Sequence, residues 1–476
     1  MQTRTPDLLD TLIEHALETQ FTDLPAPTVQ RVSQRLLDSV GAGLAGHQAD
    51  GAAKLRKVVA AWGEGTQAQV LGTAQRLPAS SAAFLNATLI RSFDFEPVEA
   101  DGPGGRTVAA HISGTTVPVA LASGQSTGAS GAEVITALAV GDDLTARLAV
   151  AGGFDVYSGQ DNTGTVNVIG ASLIASRLLG LDHETTRHAV GIAVNQASGS
   201  VAAIFDGENS FKLPMAFAAR AGINAAQLAG AGMRGAQDPL TGKHGYFEVF
   251  TTDPDPLLAL QGLGESFHGD CTIKPFASCR AAQPSLQACA ELVTKHSVRA
   301  EDVECLSVHV TERTLNGFVG ARFKDGETRT TAALFSIHLT AAVALLHGTV
   351  RPEHLTAKAL ADPRLTNLLG RIELAGTLPN NQRLTAEVTA RLKDGSIKHV
   401  RVEHPDGNIL RTALSQEAID EKFAQNLAFG TPQLIERSNA LREQLNNLGA
   451  AANLEKLFET LDPSKNFTLI PQEQYS

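Results

Sequence analysis

GAEVITALAVGDDLTARLAV at residues 131–150, followed by VIGASLIASRLLG at 168–180, decides the fold class. Apolar residues recur every three or four positions, the period of one helix face. Ala and Gly fill many of the other positions, so such helices can approach several neighbours closely. The same texture runs outward through LLDTLIEHAL (8–17), VQRVSQRLLDSVGAGLAG (29–46), HETTRHAVGIAVNQASGS (183–200) and FAARAGINAAQLAGAG (217–232). PASSAAFLNATLIRSF (78–93) opens on Pro78 with a serine pair behind it, a helix-start pattern. The first half therefore reads as helix after helix.

Near residue 266 the texture changes. CLSVHVTERT, RLTAEVTARLKDG and SIKHVRVEHPDG alternate polar and apolar residues, and Asp394-Gly395-Ser396 between two such runs predicts a hairpin. AAQPSLQACAELVTKH and LFSIHLTAAVALLHG between them read as helices, while SQEAIDEKFAQNLA and 433–461 turn helical again. The expectation is a mainly α fold: a large all-helical domain built from 1–265 and 409–476, with a smaller α+β domain at 266–408.

Composition narrows the function. The chain has 476 residues, of which 43% are apolar and 19% charged, which suits a packed globular core. Its net charge is −11 and no basic block interrupts it, which argues against nucleic acid as a partner. Four cysteines, with no CxxC pair, give no support to a metal cluster or a disulfide framework. No segment has the length and apolarity of a membrane span, and Asp, Glu and His break up the N-terminus where a signal core would lie. A cytoplasmic location is the expectation. No GxGxxG, GxxxxGK[ST] or GxSxG pattern occurs in a supporting context.

Five segments place polar groups inside otherwise packed sequence. RSFDFEPVEADGPGG carries Asp94 and Glu96 past a helix end, where capping is the plain alternative. His111 precedes an apolar helix whose N-terminal amides attract anions, though a core histidine would look the same. In YSGQDNTGTVNVIGAS, Thr163 and Thr165 could hold a substrate oxygen or cap a helix. Lys212 follows Phe211 and can neutralise a carboxylate or an enolate-like intermediate. Lys274 and Arg280, with Ser278 and Cys279, put positive charge at another helix start, and the Arg280 fork suits a carboxylate.

The ordered set AAFLNATLIRSFDFE, HISGTTVPVALA, NTGTVNVIGAS, FKLPMAFAARAG and IKPFASCRAAQPSLQA resembles the MmgE/PrpD family over nearly the whole chain. That resemblance implies an active cleft between the large helical domain and the smaller one acting as a lid. It also implies a homodimer, no organic cofactor and a small carboxylate substrate, while the sequence itself gives no direct case for a catalytic metal. The implied chemistry is proton transfer beside a carboxyl group, with loss of water or carbon dioxide. The reading is a lyase, either dehydratase or decarboxylase; an epimerase or a non-catalytic metabolite binder are the alternatives. By this resemblance Asp94, His111, Lys212 and Lys274 take the acidic, histidine and two lysine positions of the family segments. His111 is then the proton-transfer group.

The chain departs from the pattern at several points. Glu96-Pro97-Val98 lacks the family's threonine, Asp161 stands where a second histidine is familiar, and Cys279-Arg280-Ala281-Ala282-Gln283 lacks another. Asp161 is thereby a candidate base, and one that would repel an additional substrate carboxylate. A substrate with fewer carboxyl groups than citrate, or one bearing an amine, follows from that reading.

Overall fold

A computed structural model describes residues 7–323 and 329–466. The helices of eight or more residues are α1 (Leu8–Glu18), α2 (Ala26–Ala45), α3 (Ala52–Ala60), α4 (Ala79–Arg91), α5 (Ser113–Thr127), α6 (Gly131–Ala151), α7 (Asn167–Leu178), α8 (His183–Val194), α9 (Leu213–Gly230), α10 (Gln283–Thr294), α11 (Ile337–His347), α12 (Gln416–Gly430) and α13 (Ser438–Asn446). The strands are β1 (Ala68–Gln69), β2 (Arg76–Leu77), β3 (Val98–Asp101), β4 (Thr107–Val108), β5 (Asp270–Thr272), β6 (Val303–Thr311), β7 (Ile372–Leu378), β8 (Ala386–Leu392) and β9 (Ile397–Val402). Among the described residues no helix is long and apolar enough to cross a membrane.

The quoted segment 131–150 is the buried helix α6. Ser130 starts it with a reciprocal cap: its hydroxyl accepts the Glu133 N–H, and the Glu133 carboxylate accepts the Ser130 N–H. The small residues set how closely the helices approach. A methyl group on Gly222 of α9 would lie 2.3 Å from Cβ of Ala171 on α7, and one on Gly170 would lie 1.8 Å from the Thr145 hydroxyl of α6. Neither position leaves room for a side chain, so α7 is held tightly against both neighbours.

Two large apolar cores result. One joins α2, α4, α5, α6, α7 and α9 to Ile419, Phe423 and Leu427 of α12 and to the apolar residues of 434–461. The other lies beneath the sheet β7-β6-β8-β9, whose buried Leu306, Val308, Val388, Ala390 and Val400 pack with α10 and α11. In that sheet β6 and β7 are parallel, whereas β8 is antiparallel to both β6 and β9. The Asp394-Gly395-Ser396 hairpin is present, joining β8 to β9.

Two expectations need correction. The first half is not helix throughout: β3 lies between β4 and β5 in an antiparallel sheet of three short strands. Strands of two to four residues are too short to show a period. The helical stretch expected over 433–461 is broken, with only α13 exceeding eight residues. Asn446, Asn447 and Gly449 are poor helix formers and interrupt it there.

Candidate functional site

The three-stranded sheet assembles the site. Val98 at the start of β3 pairs with Thr272 at the end of β5, and Ala100 pairs with Val108 at the end of β4. Antiparallel pairing thus brings the residues before β3 and those after β4 and β5 to one end of the sheet. Asp94 and Glu96 precede β3, His111 follows β4, and Lys274 follows β5.

There the side chains form one buried cluster. Arg91, the last residue of α4, donates one Nη1 to Asp94 Oδ1 and also to Glu96 Oε1, the latter at 2.9 Å. Lys274 Nζ donates to the Asp94 carbonyl and, at 2.8 Å, to its Oδ1. His111 Nδ1 lies 2.7 Å from Glu96 Oε1, and its Nε2 lies 3.9 Å from Asp94 Oδ1. The Nδ1 contact is a close polar contact rather than an aligned hydrogen bond, and Glu96 Oε2 is buried without a hydrogen-bond partner among the described residues. His111 is the most accessible member, with its side chain 16% exposed against 5% or less for Arg91, Asp94, Glu96 and Lys274.

Burial alone would keep these carboxyls protonated. Lys274 and Arg91 outweigh it at Asp94 and hold that group well below the usual carboxylate range. Arg91 and Lys274 do the same at Glu96, bringing it down to about 2. Burial, reinforced by the Arg91 charge, lowers the His111 pKa despite the two carboxylates. The cluster is therefore two carboxylates balanced by two cations around a neutral imidazole.

His111 is fixed by its own backbone. Its carbonyl accepts from Asn167 Nδ2 at 2.7 Å. The following Ile112 and Ser113 N–H groups, at the start of α5, donate to the Asp270 carboxylate at 3.2 and 2.7 Å. Burial pushes Asp270 up to about 7, the two amides pulling the other way.

Lys212 is buried just before α9 and forms no hydrogen bond or ion pair among the described residues. Phe211 beside it stacks under the Arg91 guanidinium at 5.0 Å, which ties Lys212 to the cluster. Burial lowers its pKa to about 8; Arg91 adds to the shift and Asp50 opposes it.

The remaining candidates are occupied. Asp161 Oδ1 accepts the Thr163 N–H at 3.0 Å and caps the short helix 162–165. Thr163 and Thr165 are buried, and the Thr165 hydroxyl reaches only back to Asn162 O. Ser278 is fully buried and its hydroxyl donates to Leu334 O at 2.6 Å. Arg280 meets Glu99 Oε2 through Nε and Nη2, each at 3.0 Å, while its Nη1 is buried with no hydrogen-bond partner among the described residues. Arg91 was missed because it reads as the polar end of an amphipathic helix; the Arg91-x-x-Asp94-x-Glu96 spacing was the available signal.

Asp94, Glu96 and His111 offer ligand atoms that all lie within 4.8 Å of one another, close enough to share a metal ion. Arg91 and Lys274 already neutralise those carboxylates, and their charges oppose a divalent cation at the same point.

Residues 10–259 match the model of the MmgE/PrpD N-terminal domain, and residues 276–447 that of the MmgE/PrpD C-terminal domain. Cis-aconitate decarboxylase of Mus musculus is 26% identical over 414 residues, covering 84% of this chain and 82% of its own. The Homo sapiens protein of the same name is 27% identical over 415 residues, 84% of this chain and 83% of its own. The cis-aconitate decarboxylase-like protein oryM of Aspergillus oryzae is 30% identical over 244 residues, 49% of each chain.

Proposed function

The chain belongs to the MmgE/PrpD family, and from that premise we propose that it is a lyase which releases carbon dioxide from a small polycarboxylic acid. One observation carries the reading: a charge-balanced cluster holding an accessible histidine, near a buried lysine that forms no ion pair among the described residues. A buried cation without a partner is costly unless an anion arrives to meet it. The names of the relatives support decarboxylation ahead of dehydration.

In this mechanism Lys212 binds a substrate carboxylate. The bond between the departing carboxylate and its carbon breaks, and carbon dioxide leaves. The electron pair stays on carbon, delocalised into a neighbouring carboxyl group. His111 delivers a proton to that carbon and is reprotonated from solvent. In the empty site the imidazole is held neutral, but a bound polyanion favours its charged form, which Glu96 then stabilises through Nδ1. Asp94 is held ionised by Lys274 and Arg91, and completes the field around the proton donor. We assign Asp161 to capping rather than to proton transfer.

The smaller unit at 266–408 and the helical remainder meet at Lys274, and closure between them belongs to the same proposal, as does a homodimer. The exposed Trp62 and Phe217, both edge-on to Phe84, supply an apolar surface for a second copy.

Proton NMR in heavy water, with cis-aconitate and a panel of di- and tricarboxylates, tests the reaction. Substrate loss with carbon dioxide release and a deuterium-labelled product is expected. Elimination of water without carbon dioxide would replace decarboxylation by dehydration. Deuterium entry at an α-carbon without net loss would make the enzyme an epimerase, and an inert panel would overturn the lyase reading.

The pH profile carries a second expectation. Lys212 is charged below about 8 and loses its charge above it. The logarithm of kcat/KM should therefore fall with a slope near −1 above that pH, with most of the loss appearing in KM. In Lys212→Arg the alkaline limb should move beyond the measurable range; a limb that stays in place assigns it to another group.

A further inference from the structure

We propose that Lys422, on the C-terminal helix α12, is a positioning residue of this site: together with Lys274 it clamps the turn that presents Asp94 and Glu96. The inference rests on the catalytic reading above, but it arises from geometry that reading does not use. Lys422 Nζ donates to the carbonyl of Phe95 at 2.8 Å and lies 3.8 Å from the centre of the Phe95 ring. It also lies 2.7 Å from Asp38 Oδ1 on α2, with the two side chains 7% and 1% exposed. Lys274 Nζ meanwhile holds the carbonyl of Asp94. Two successive carbonyls are thus gripped by two buried ammonium groups.

The turn needs this restraint. Asp94 has φ 47°, a left-handed conformation that is uncommon outside glycine and, though Asp tolerates it better than most residues, is helped by contacts that hold it. Released, Asp94 would relax toward negative φ. Its carboxylate and that of Glu96, two residues on, would then leave their places beside His111. Burial pulls the Lys422 pKa down and the Asp38 pKa up, and each group opposes the other's shift across their 2.7 Å contact; an ammonium held this way is a strong donor to a carbonyl. Among the described residues Lys422 hydrogen-bonds to no other site side chain, so it acts through the turn and not on substrate.

A buried ion pair that merely supports folding would present the same distances, so the test separates the two roles. Asp38→Asn/Lys422→Met removes the donor without stranding a charge, and Lys422→Arg keeps the charge while replacing the point donor with a broad planar one. Both are read by thermal melting, by kcat and KM, and by the ring nitrogen signals of His111, assigned among the 14 histidines with a His111→Gln control. The expected result for the double variant is a melting temperature close to the parent's, displaced His111 signals, and kcat lower by about 100-fold with KM little changed. Lys422→Arg should displace the same signals by less. Either variant, folded, with parental kcat and unmoved His111 signals would overturn the proposal. Should the parent turn over no acid in the panel, the lyase reading fails while the His111 signals still decide the role of Lys422.

Discussion

His111→Gln is expected to lower kcat by about 10²–10⁴-fold, the range for losing a general acid–base group, while leaving the melting temperature close to the parent's. The two halves of the expectation have separate causes. His111 is the only member of the cluster with substantial access, so a substrate carbon can approach it and not the carboxylates behind it. Its removal leaves no charge stranded, because Glu96 keeps Arg91 and Asp94 keeps both Arg91 and Lys274. A glutamine amide can still reach Glu96 but cannot deliver a proton at neutral pH. Turnover measured as carbon dioxide release gives the first half, and a melting curve the second. A kcat within threefold of the parent's would remove His111 from the chemistry and leave Lys212 as the next proton donor to test.

Arg147→Met is expected to cost about 3–5 kcal/mol of stability, the range for stranding one partner of a buried ion pair. Arg147 is fully buried on α6, with Nε shared between both oxygens of Asp143 at 2.8 and 2.9 Å. Its remaining donors go to the carbonyls of Ala259, Gln261, Gly262 and Ser266. That loop leads directly into β5, which carries Asp270 and ends two residues before Lys274. The Asp143 carboxylate also accepts the His268 N–H at 2.9 Å, so the stranded charge would sit at the base of the same strand. A denaturant midpoint measures the loss, and Asp143→Leu/Arg147→Met should recover part of it by removing the unpaired carboxylate. A shift below 1 kcal/mol in the single variant would mean that solvent reaches Asp143 and the network adds little.

Much of this architecture was legible from residue order. The three- and four-residue apolar period of 131–150 and 168–180 locates α6 and α7 because those helices are long enough to show it. The Asp394-Gly395-Ser396 turn locates β8 and β9 because their alternation spans six or seven residues on either side. The sheet that builds the site left too short a trace: VEAD alternates over only four residues, and β4 has two. Asp94, His111, Lys212 and Lys274 stood out as polar residues inside packed sequence, and the structure gathers Asp94, His111 and Lys274 directly. Arg91 and Lys422 did not stand out, because a cation on an amphipathic helix ordinarily faces water. Ser278 and Arg280 read as free donors because a sequence does not show Leu334 O or Glu99, which the Ser278 hydroxyl and the Arg280 Nε meet.

The clamp around Asp94 and Phe95 also sets the order in which this protein can become active. Lys274 follows Asp94 by 180 positions, and Lys422 follows Phe95 by 327. A ribosome releases the N-terminal helices first, and they can begin to pack while the rest is still being made. The Asp94 turn then waits 180 residues for Lys274, and its neighbour Phe95 waits 327 for Lys422. Loop closures of this length are slow steps. Nascent chains and fragments cut before α12 lack Lys422 and hold an unfinished site, so turnover reports completion of the chain rather than the formation of its helices.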